Sequence, residues 1–279
     1  MAETTAVRQS ITFSGPEIYY LSASLDAQMV FGVEDPFPGW LTEEIREAMD
    51  AARESLAVKG ALTVDLAGEV VLDPDLAALV GVLADPDATL LLSEAGPNGD
   101  EDDAERTWFL GAGRAVELLP DGAGSYGLAT LPEEADFAAR ILARWGVAAQ
   151  PAPAGVPGSV PDDVLNAARE QVADGTVAQA RTALEDGGLT AESAASLVQS
   201  FQVPLRSASV TALRRGQMEW EAGGIAMLEA GNGLWGLRSF EREGRGWVEI
   251  TPCNAAALGA KVVDVIARFA ATPTMTGSR

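Results

Sequence analysis

The glycine-rich stretch at residues 231–236, Gly-Asn-Gly-Leu-Trp-Gly, has the Gly-x-Gly-x-x-Gly spacing of a dinucleotide-binding loop. In such a loop, the start of the following helix holds a pyrophosphate. Here residues 237–240 have the pattern of a strand that runs into a turn. The stretch therefore predicts a β-turn or bulge, and we expect no cofactor.

The acidic run at residues 100–105, Asp-Glu-Asp-Asp-Ala-Glu, contains oxygen ligands of the kind that a divalent cation prefers. A calcium loop also needs alternating ligands, a central glycine and a distant glutamate, and this contiguous run has neither the glycine nor the alternation. We interpret it as a solvated loop without a metal. Glu101, Asp102 and Asp103 are candidates for contact with a basic partner.

Catalytic residues of other kinds are few. Glu219 and Glu221 flank Trp220 and could supply the carboxylate pair of a glycosidase, but their segment has the pattern of a connection between strands. The chain has no histidine, which excludes Ser-His-Asp arrangements and most zinc sites. A single cysteine, Cys253, excludes thiolate clusters and an internal disulfide. We expect no catalytic activity, with a carboxylate-based hydrolase as a less favoured alternative.

Three tryptophans are the remaining candidates for a binding role. Trp40 ends the proline-rich segment 35–40, and it is either an anchored loop residue or an exposed contact point. Trp108 and Trp235 lie in predicted strands, where they are either ordinary core residues or partner contacts. With the three acidic residues above, they make up the predicted partner-binding set.

Composition limits the partners. The chain of 279 residues has 41 acidic and 19 basic side chains, for a net charge of −22. This charge disfavours nucleic acid and anionic lipid. No apolar run approaches the roughly 20 residues that cross a bilayer, and the first residues lack a signal-peptide pattern. We expect a cytoplasmic protein that does not insert into membranes; its oligomeric state stays open.

The chain contains a weak internal repeat. Pro86 and Gly113 recur as Pro204 and Gly231 at one and the same offset, within similar helical and strand patterns. We predict a duplicated helix-helix-strands-helix unit, with halves at 1–147 and 161–279 joined by an Ala/Pro/Gly-rich linker at 148–160. The halves form two domains or one pseudo-two-fold domain. We favour one domain, because units of three or four strands gain by pairing.

The predicted elements give an α+β fold. Thr42, Asp73 and Thr190 are expected helix N-caps, and Pro74 suits the first position of its helix. Further helices are expected at 132–145, 176–186 and 254–269, and another is expected to start at 161–163. The predicted strands lie at 89–93, 106–110, 115–119, 125–131, 207–213, 224–229, 234–240 and 247–251. Helices followed by several adjacent strands predict a central antiparallel sheet flanked by helices.

Several segments resemble the EspG family, the chaperones associated with type VII (ESX) secretion. The opening Ile-Thr-Phe-Ser-Gly-Pro-Glu-Ile-Tyr-Tyr-Leu at 11–21 is similar to the start of that family. The proline-containing loop at 34–38, the helix at 42–58 and the helix end Gly-Ala-Leu at 60–62 follow in the same order. The Asp-Pro-x-Leu helix at 73–86 and the Trp-Val strand with its proline at 247–252 complete the resemblance.

The resemblance implies a quasi-two-fold α+β fold and a cytosolic chaperone. Such a chaperone would cover the hydrophobic tip of a helical secreted protein, of the PE/PPE or WXG100-like type, and residues 94–105 would correspond to a flexible loop of the family. A scaffold or immunity-type protein on a similar duplicated fold is the alternative.

Overall fold

The computed structural model describes residues 11–25, 30–67, 69–96, 106–131, 137–147, 151–216 and 219–270. The described residues form eight helices: α1 (Gly15–Ala23), α2 (Thr42–Val58), α3 (Pro74–Ala84), α4 (Phe137–Arg144), α5 (Asp162–Ala173), α6 (Val177–Gly187), α7 (Ala191–Gln202) and α8 (Ala255–Ala270). They also form twelve strands: β1 (Ile11–Ser14), β2 (Leu62–Val64), β3 (Val70–Leu72), β4 (Ala88–Ala95), β5 (Arg106–Gly111), β6 (Arg114–Pro120), β7 (Ser125–Leu131), β8 (Gly158–Pro161), β9 (Pro204–Arg215), β10 (Trp220–Ala230), β11 (Gly233–Arg242) and β12 (Arg245–Cys253).

Ten of these strands form an antiparallel sheet in the order β1-β7-β6-β5-β4-β9-β10-β11-β12-β8, and β2 pairs with β3 in a separate hairpin. The predicted α+β class with a central antiparallel sheet is confirmed. The repeat is visible in chain order, because α3, four strands and α4 recur as α7, four strands and α8.

The chain divides into two compact units. Unit 1 comprises Met1–Leu90 and Glu105–Glu134, and unit 2 comprises Leu91–Ala104 and Ala135–Arg279. Strand β8 covers the last residues of the stretch expected to be a linker. The proposed halves 1–147 and 161–279 stay a prediction.

Two of the three expected helix caps are present. The Asp73 carboxylate accepts hydrogen bonds from the amides of Asp75 and Leu76, and the Thr190 hydroxyl accepts one from Ser193. Thr42 is different, because it is the first helical residue and Leu41 precedes it as the cap. The Leu41 amide donates to Glu44 Oε2 at 2.8 Å, so a glutamate side chain satisfies this helix start instead of a threonine hydroxyl. Residues 132–136 of the helix predicted at 132–145 lie outside the described residues.

The prediction that residues 219–223 connect two strands is wrong, because β10 already begins at Trp220. Trp220 is paired with Arg215, and the ladder between β9 and β10 continues to Ala230. Gly223 and Gly224 weaken the strand signal in the sequence. Packing requires glycine at 223, because a Cβ there would lie 2.7 Å from the Phe269 ring of α8, so the helix packs on the bare backbone.

The core of unit 1 lies between helices α1 to α3 and the strands β1, β5, β6 and β7. It contains the buried side chains of Phe13, Leu21, Leu56, Phe109 and Val116. α3 packs on β5 and β6, and α1 contacts α2, α3, β1 and β7. One face of this part of the sheet is therefore covered by helices.

A charged pair is built into this core. Glu17 is only 2% exposed; its Oε2 accepts from the Ser14 amide at 2.7 Å and from Lys59 Nζ at 2.7 Å. The same ammonium donates to the Thr12 carbonyl at 3.0 Å. These bonds join β1, the start of α1 and the end of α2. Burial alone would raise the pKa of Glu17, but the bonds from Lys59 and Ser14 outweigh it and hold the pKa below its ordinary value.

Unit 2 has its own core between helices α5, α6 and α7 and the strands β8, β10, β11 and β12. Its buried side chains include Leu184, Leu197, Trp235 and Ile250. α8 packs on β9 and β10 and also contacts α4. Trp235 is fully buried (0% exposed), and its Nε1 donates to Ser200 Oγ at 2.8 Å.

We predict that Glu17→Gln lowers the free energy of unfolding at neutral pH by about 2 kcal/mol, because it removes a charge-assisted bond from a buried pair. The folded-state pKa of Glu17 is depressed, so its contribution is present above the ordinary carboxyl pKa of 4.5 and is lost as the pH falls through the lower folded value. Urea unfolding of both proteins over a pH series measures this. A difference that stays constant into acid contradicts the ion-pair explanation.

We predict that Trp235→Ala lowers the free energy of unfolding by about 4 kcal/mol, since it leaves a large cavity and removes the bond to Ser200. Trp108→Ala has a similar expected cost, because Trp108 is 2% exposed. Trp220, which is 48% exposed, is the control, with an expected loss below about 1 kcal/mol. Chemical denaturation checks all three. Unchanged stability together with lost partner binding would assign Trp108 or Trp235 to an interface instead.

Candidate functional site

Successive side chains of β9 and β10 point to opposite faces of the sheet, so each strand serves two environments. On one face, Ala208, Val210, Ala212, Ile225 and Met227 are buried. α8 covers this face, as the contact of its Phe269 ring with Gly223 shows. The other face of the same strands carries the remaining residues and is only partly covered.

The partly covered face of unit 2 forms a groove with a volume of about 840 Å³. Its floor is made mainly of small side chains, with Ser93 and Ala95 from β4, Ser207 and Ser209 from β9, and Ala226 from β10, and it also includes Leu228 of β10. The hydroxyls of Ser93 and Ser209 lie 2.8 Å apart and hydrogen-bond to each other. Most of the floor is therefore lined by small or weakly polar side chains, which backbone of another chain could approach closely.

The walls of the groove come from helices of unit 2. α5 contributes Leu165, Arg169 and Ala173, and Phe201 lies at the end of α7. Leu237 of β11 is half-buried at the margin of the floor. Leu165, Phe201 and Leu237 are apolar, whereas Arg169 and Glu170 of α5 add exposed charged groups to the same wall.

A buried polar network holds the end of α7 in place. The Ser200 hydroxyl donates to Asn232 Oδ1 at 2.7 Å and accepts from Trp235. Asn232 Nδ2 donates to the Ser196 carbonyl at 2.9 Å. Asn232 belongs to the turn between β10 and β11, so this turn is tied to the helix that supplies Phe201. The turn interpreted from residues 231–236 is therefore present at residues 231 and 232, whereas residues 233–236 already belong to β11.

The predicted partner-binding residues do not come together in the groove. Trp235 is buried below α7, and Trp108 is buried with its Nε1 3.1 Å from Glu117 Oε1. Trp40 is 47% exposed and belongs to unit 1. Glu101, Asp102 and Asp103 lie outside the described residues. The binding role of these six residues stays a prediction.

The described residues provide surface for binding but few groups that could hold a metal or act as a nucleophile. Among them, no cluster of three or more His, Cys, Asp or Glu side chains could hold a metal ion. The Cys253 thiol is buried beside Gly236, and burial raises its pKa to about 11, so it is not a thiolate nucleophile at neutral pH. Arg206, at the edge of the groove, pairs with Glu229 and donates to the Gly146 carbonyl at 2.7 Å. The Arg206 side chain therefore makes contacts within the protein at both of these groups.

Sequence reasoning missed the groove residues, because serine and alanine carry no signal of function on their own. One signal was present. From Ser207 to Ala212, a buried apolar residue alternates with a small or polar one. Such alternation indicates a strand with one face in the core and one face open. It does not show whether a helix covers the open face.

A family model described as the EspG family matches residues 23–264. The chain belongs to the EspG family. The resemblance noted in its sequence is thereby confirmed, and the match extends over both compact units.

A solved structure of an EspG protein has the same fold. The Mycobacterium tuberculosis type VII secretion chaperone EspG5, solved in complex with a PE25–PPE41 dimer, matches with a TM-score of 0.64 and 18% sequence identity. The alignment covers 93% of this chain and 96% of the EspG5 chain. No curated protein sequence matches the chain. None of the helices in the described part of the chain is long and apolar enough to cross a membrane.

We predict that Asn232→Ala lowers the free energy of unfolding by about 2 kcal/mol, because it leaves the buried Ser200 hydroxyl without one of its partners. We also expect faster amide hydrogen exchange at the end of α7, measured by mass spectrometry. Ser239→Ala, at an exposed position of β11, is the matched control and should change neither quantity. Equal effects of the two variants would contradict a specific role for the network.

Proposed function

We propose that this EspG-family protein is a cytoplasmic, non-enzymatic chaperone for helical substrates of a type VII secretion system, and that the groove of unit 2 receives one end of the substrate. Membership of the family supports the chaperone role. The solved relative EspG5 is bound to a PE25–PPE41 dimer, which supports a PE/PPE-type substrate.

The proposal rests mainly on the small side chains of the groove floor. An α-helix with side chains is about 10–12 Å wide, so about 840 Å³ holds roughly two helical turns. Serine and alanine on the floor allow a helix end to approach closely, and the apolar walls can cover its hydrophobic side chains. The groove is therefore large enough to receive the end of one helix.

The partly polar character of the floor suits a chaperone. Ser207 is exposed and Ser209 is half-buried, so the empty groove exposes hydroxyls together with its apolar groups. Leu165, Phe201 and Leu237 supply apolar contact at its sides. A chaperone must release its substrate, and a surface of this kind supports binding that is specific and reversible.

A test begins with identification of the bound chain. The affinity-tagged protein is purified from its source bacterium, and mass spectrometry identifies the polypeptide that comes with it. We expect a helical secreted protein of the PE/PPE or WXG100-like type. Recovery of the protein without any such chain would contradict the proposal.

We predict that Ser207→Trp weakens binding of that substrate at least tenfold, because the indole fills the groove while the exposed position tolerates it. Ala267→Trp places the same ring on exposed α8, on the opposite face of the sheet, and should bind as the wild type does. Isothermal titration calorimetry with the purified substrate compares them. Wild-type affinity in the Ser207 variant, or equal losses in both, would show that the groove is not the binding site.

A further inference from the structure

Unit 1 has an aromatic patch on its surface, formed by Tyr19, Phe37, Trp40 and Leu41. The Phe37 ring packs edge-on against Tyr19 with the ring centres 5.3 Å apart, and its centre lies 5.5 Å from that of Trp40. Phe37 is buried, whereas Trp40 is 47% and Leu41 is 69% exposed. One buried ring thus contacts two partly exposed aromatic side chains, and the exposed Leu41 follows Trp40 in the chain.

The loop that carries the patch is held in one conformation. The Phe37 amide donates to Asp35 Oδ1 at 2.9 Å, and the Trp40 amide donates to the Phe37 carbonyl at 3.1 Å. Gly39 has a φ of +78°, which closes the turn before Trp40. Pro36 packs against Gly15 of α1, where an added Cβ would lie 3.2 Å from the proline. A preorganised aromatic surface loses little conformational entropy when it binds.

Carboxylates lie beside the patch. Asp35 bonds the Phe37 amide, and Glu44 bonds the Leu41 amide, so both acidic groups lie within hydrogen-bond distance of the patch backbone. Glu43 and Glu47 follow on the first turns of α2, and the one arginine of this helix start, Arg46, pairs with Glu43. The rim of the patch is therefore acidic.

The acidic rim favours a basic polypeptide over a second copy of this chain as the binding partner of the patch. A second copy of the chain would bring a net charge of −22 against an acidic rim, which costs electrostatic free energy. An arginine or lysine side chain can pair with the rim carboxylates, and its cation can also stack on the indole of Trp40. The combination of exposed tryptophan and acidic rim matches a basic segment with an apolar neighbour.

We propose that the aromatic patch is a second binding site, distinct from the groove, for a polypeptide segment that carries arginine or lysine next to an apolar residue. Trp40 provides the stacking face, Leu41 and Tyr19 provide apolar contact, and Asp35 and Glu44 pair with the basic side chains. The site lies in unit 1, whereas the groove lies in unit 2.

The test uses a fluorescein-labelled peptide of alternating arginine and leucine separated by glycines, with matched peptides that carry glutamine or glutamate at the arginine positions. Fluorescence anisotropy at about 0.15 M salt, where long-range charge effects are screened, measures binding. We expect binding of the arginine peptide and at least tenfold weaker binding of the glutamine and glutamate peptides. Equal binding of the arginine and glutamine peptides, or no binding of either, overturns the proposal.

Variants separate the patch from non-specific attraction to an acidic protein. Trp40→Ala should weaken binding of the arginine peptide at least tenfold, while Trp220→Ala, which removes an equally exposed tryptophan of unit 2, should leave it within twofold. Glu44→Gln keeps an acceptor for the Leu41 amide and removes one charge, so a two- to fivefold loss with a weaker salt dependence is expected. Equal effects of Trp40→Ala and Trp220→Ala overturn the proposal.

Two further measurements address other occupants. The groove variant Ser207→Trp should bind the arginine peptide normally, and loss of binding would place the peptide in the groove. Sedimentation equilibrium should show the same association state for wild type and Trp40→Ala. Self-association that Trp40→Ala abolishes would identify a second copy as the occupant and overturn the proposal.

Discussion

The alternation of side chains along β9 and β10 is the constraint on which the candidate site depends. From Ala208 to Ala212, each residue that points to α8 is apolar and almost fully enclosed. Their neighbours in sequence point the other way and are less enclosed. The groove therefore lies on strands that are held in position by the packing of α8 on their opposite face. A site on such strands is positioned more firmly than a site on loops.

The same logic explains the glycine spacing at residues 231–236 without a nucleotide. Gly233 has a φ of +135°, and a Cβ there would lie 2.8 Å from Pro153. Gly236 lies beneath Cys253 and Ile225, where an added Cβ would be in ordinary contact. In the same stretch, Asn232 and Trp235 hydrogen-bond to Ser196 and Ser200 of α7. Turn geometry and packing thus account for residues that also match a cofactor motif.

Much of the fold could be predicted, because its signals are local. Asp73 and Thr190 cap helices through bonds that reach only two or three residues along the chain. The strands that follow are recognisable from apolar alternation. The prediction was wrong where a distant group decided the outcome. Gly223 weakens the strand pattern locally, but the ring of Phe269, far along the chain, makes the glycine useful there.

The candidate site was harder to predict than the fold, for a physical reason. Trp108 and Trp235 have large apolar side chains, and burial of this apolar surface places them in the core. Ser207 and Ala226 form the groove floor but have no distinctive chemistry, and their place depends on which face of the sheet the helices leave open. Trp40 differs from the other two tryptophans because prolines hold its loop outside regular structure, so its ring has no sheet face to enter.

A chaperone faces a conflict between exposing apolar area and remaining in solution. Large exposed apolar surfaces promote association of a protein with itself. In this chain the groove floor is mainly serine and alanine, and most of the larger apolar groups lie at its sides. The aromatic patch is small and rimmed by carboxylates, and a net charge of −22 makes copies of the chain repel one another. Because that repulsion acts between copies, it leaves both surfaces open to a partner that is neutral or basic. We infer that the acidity of the chain favours neutral and basic partners over a second copy of itself.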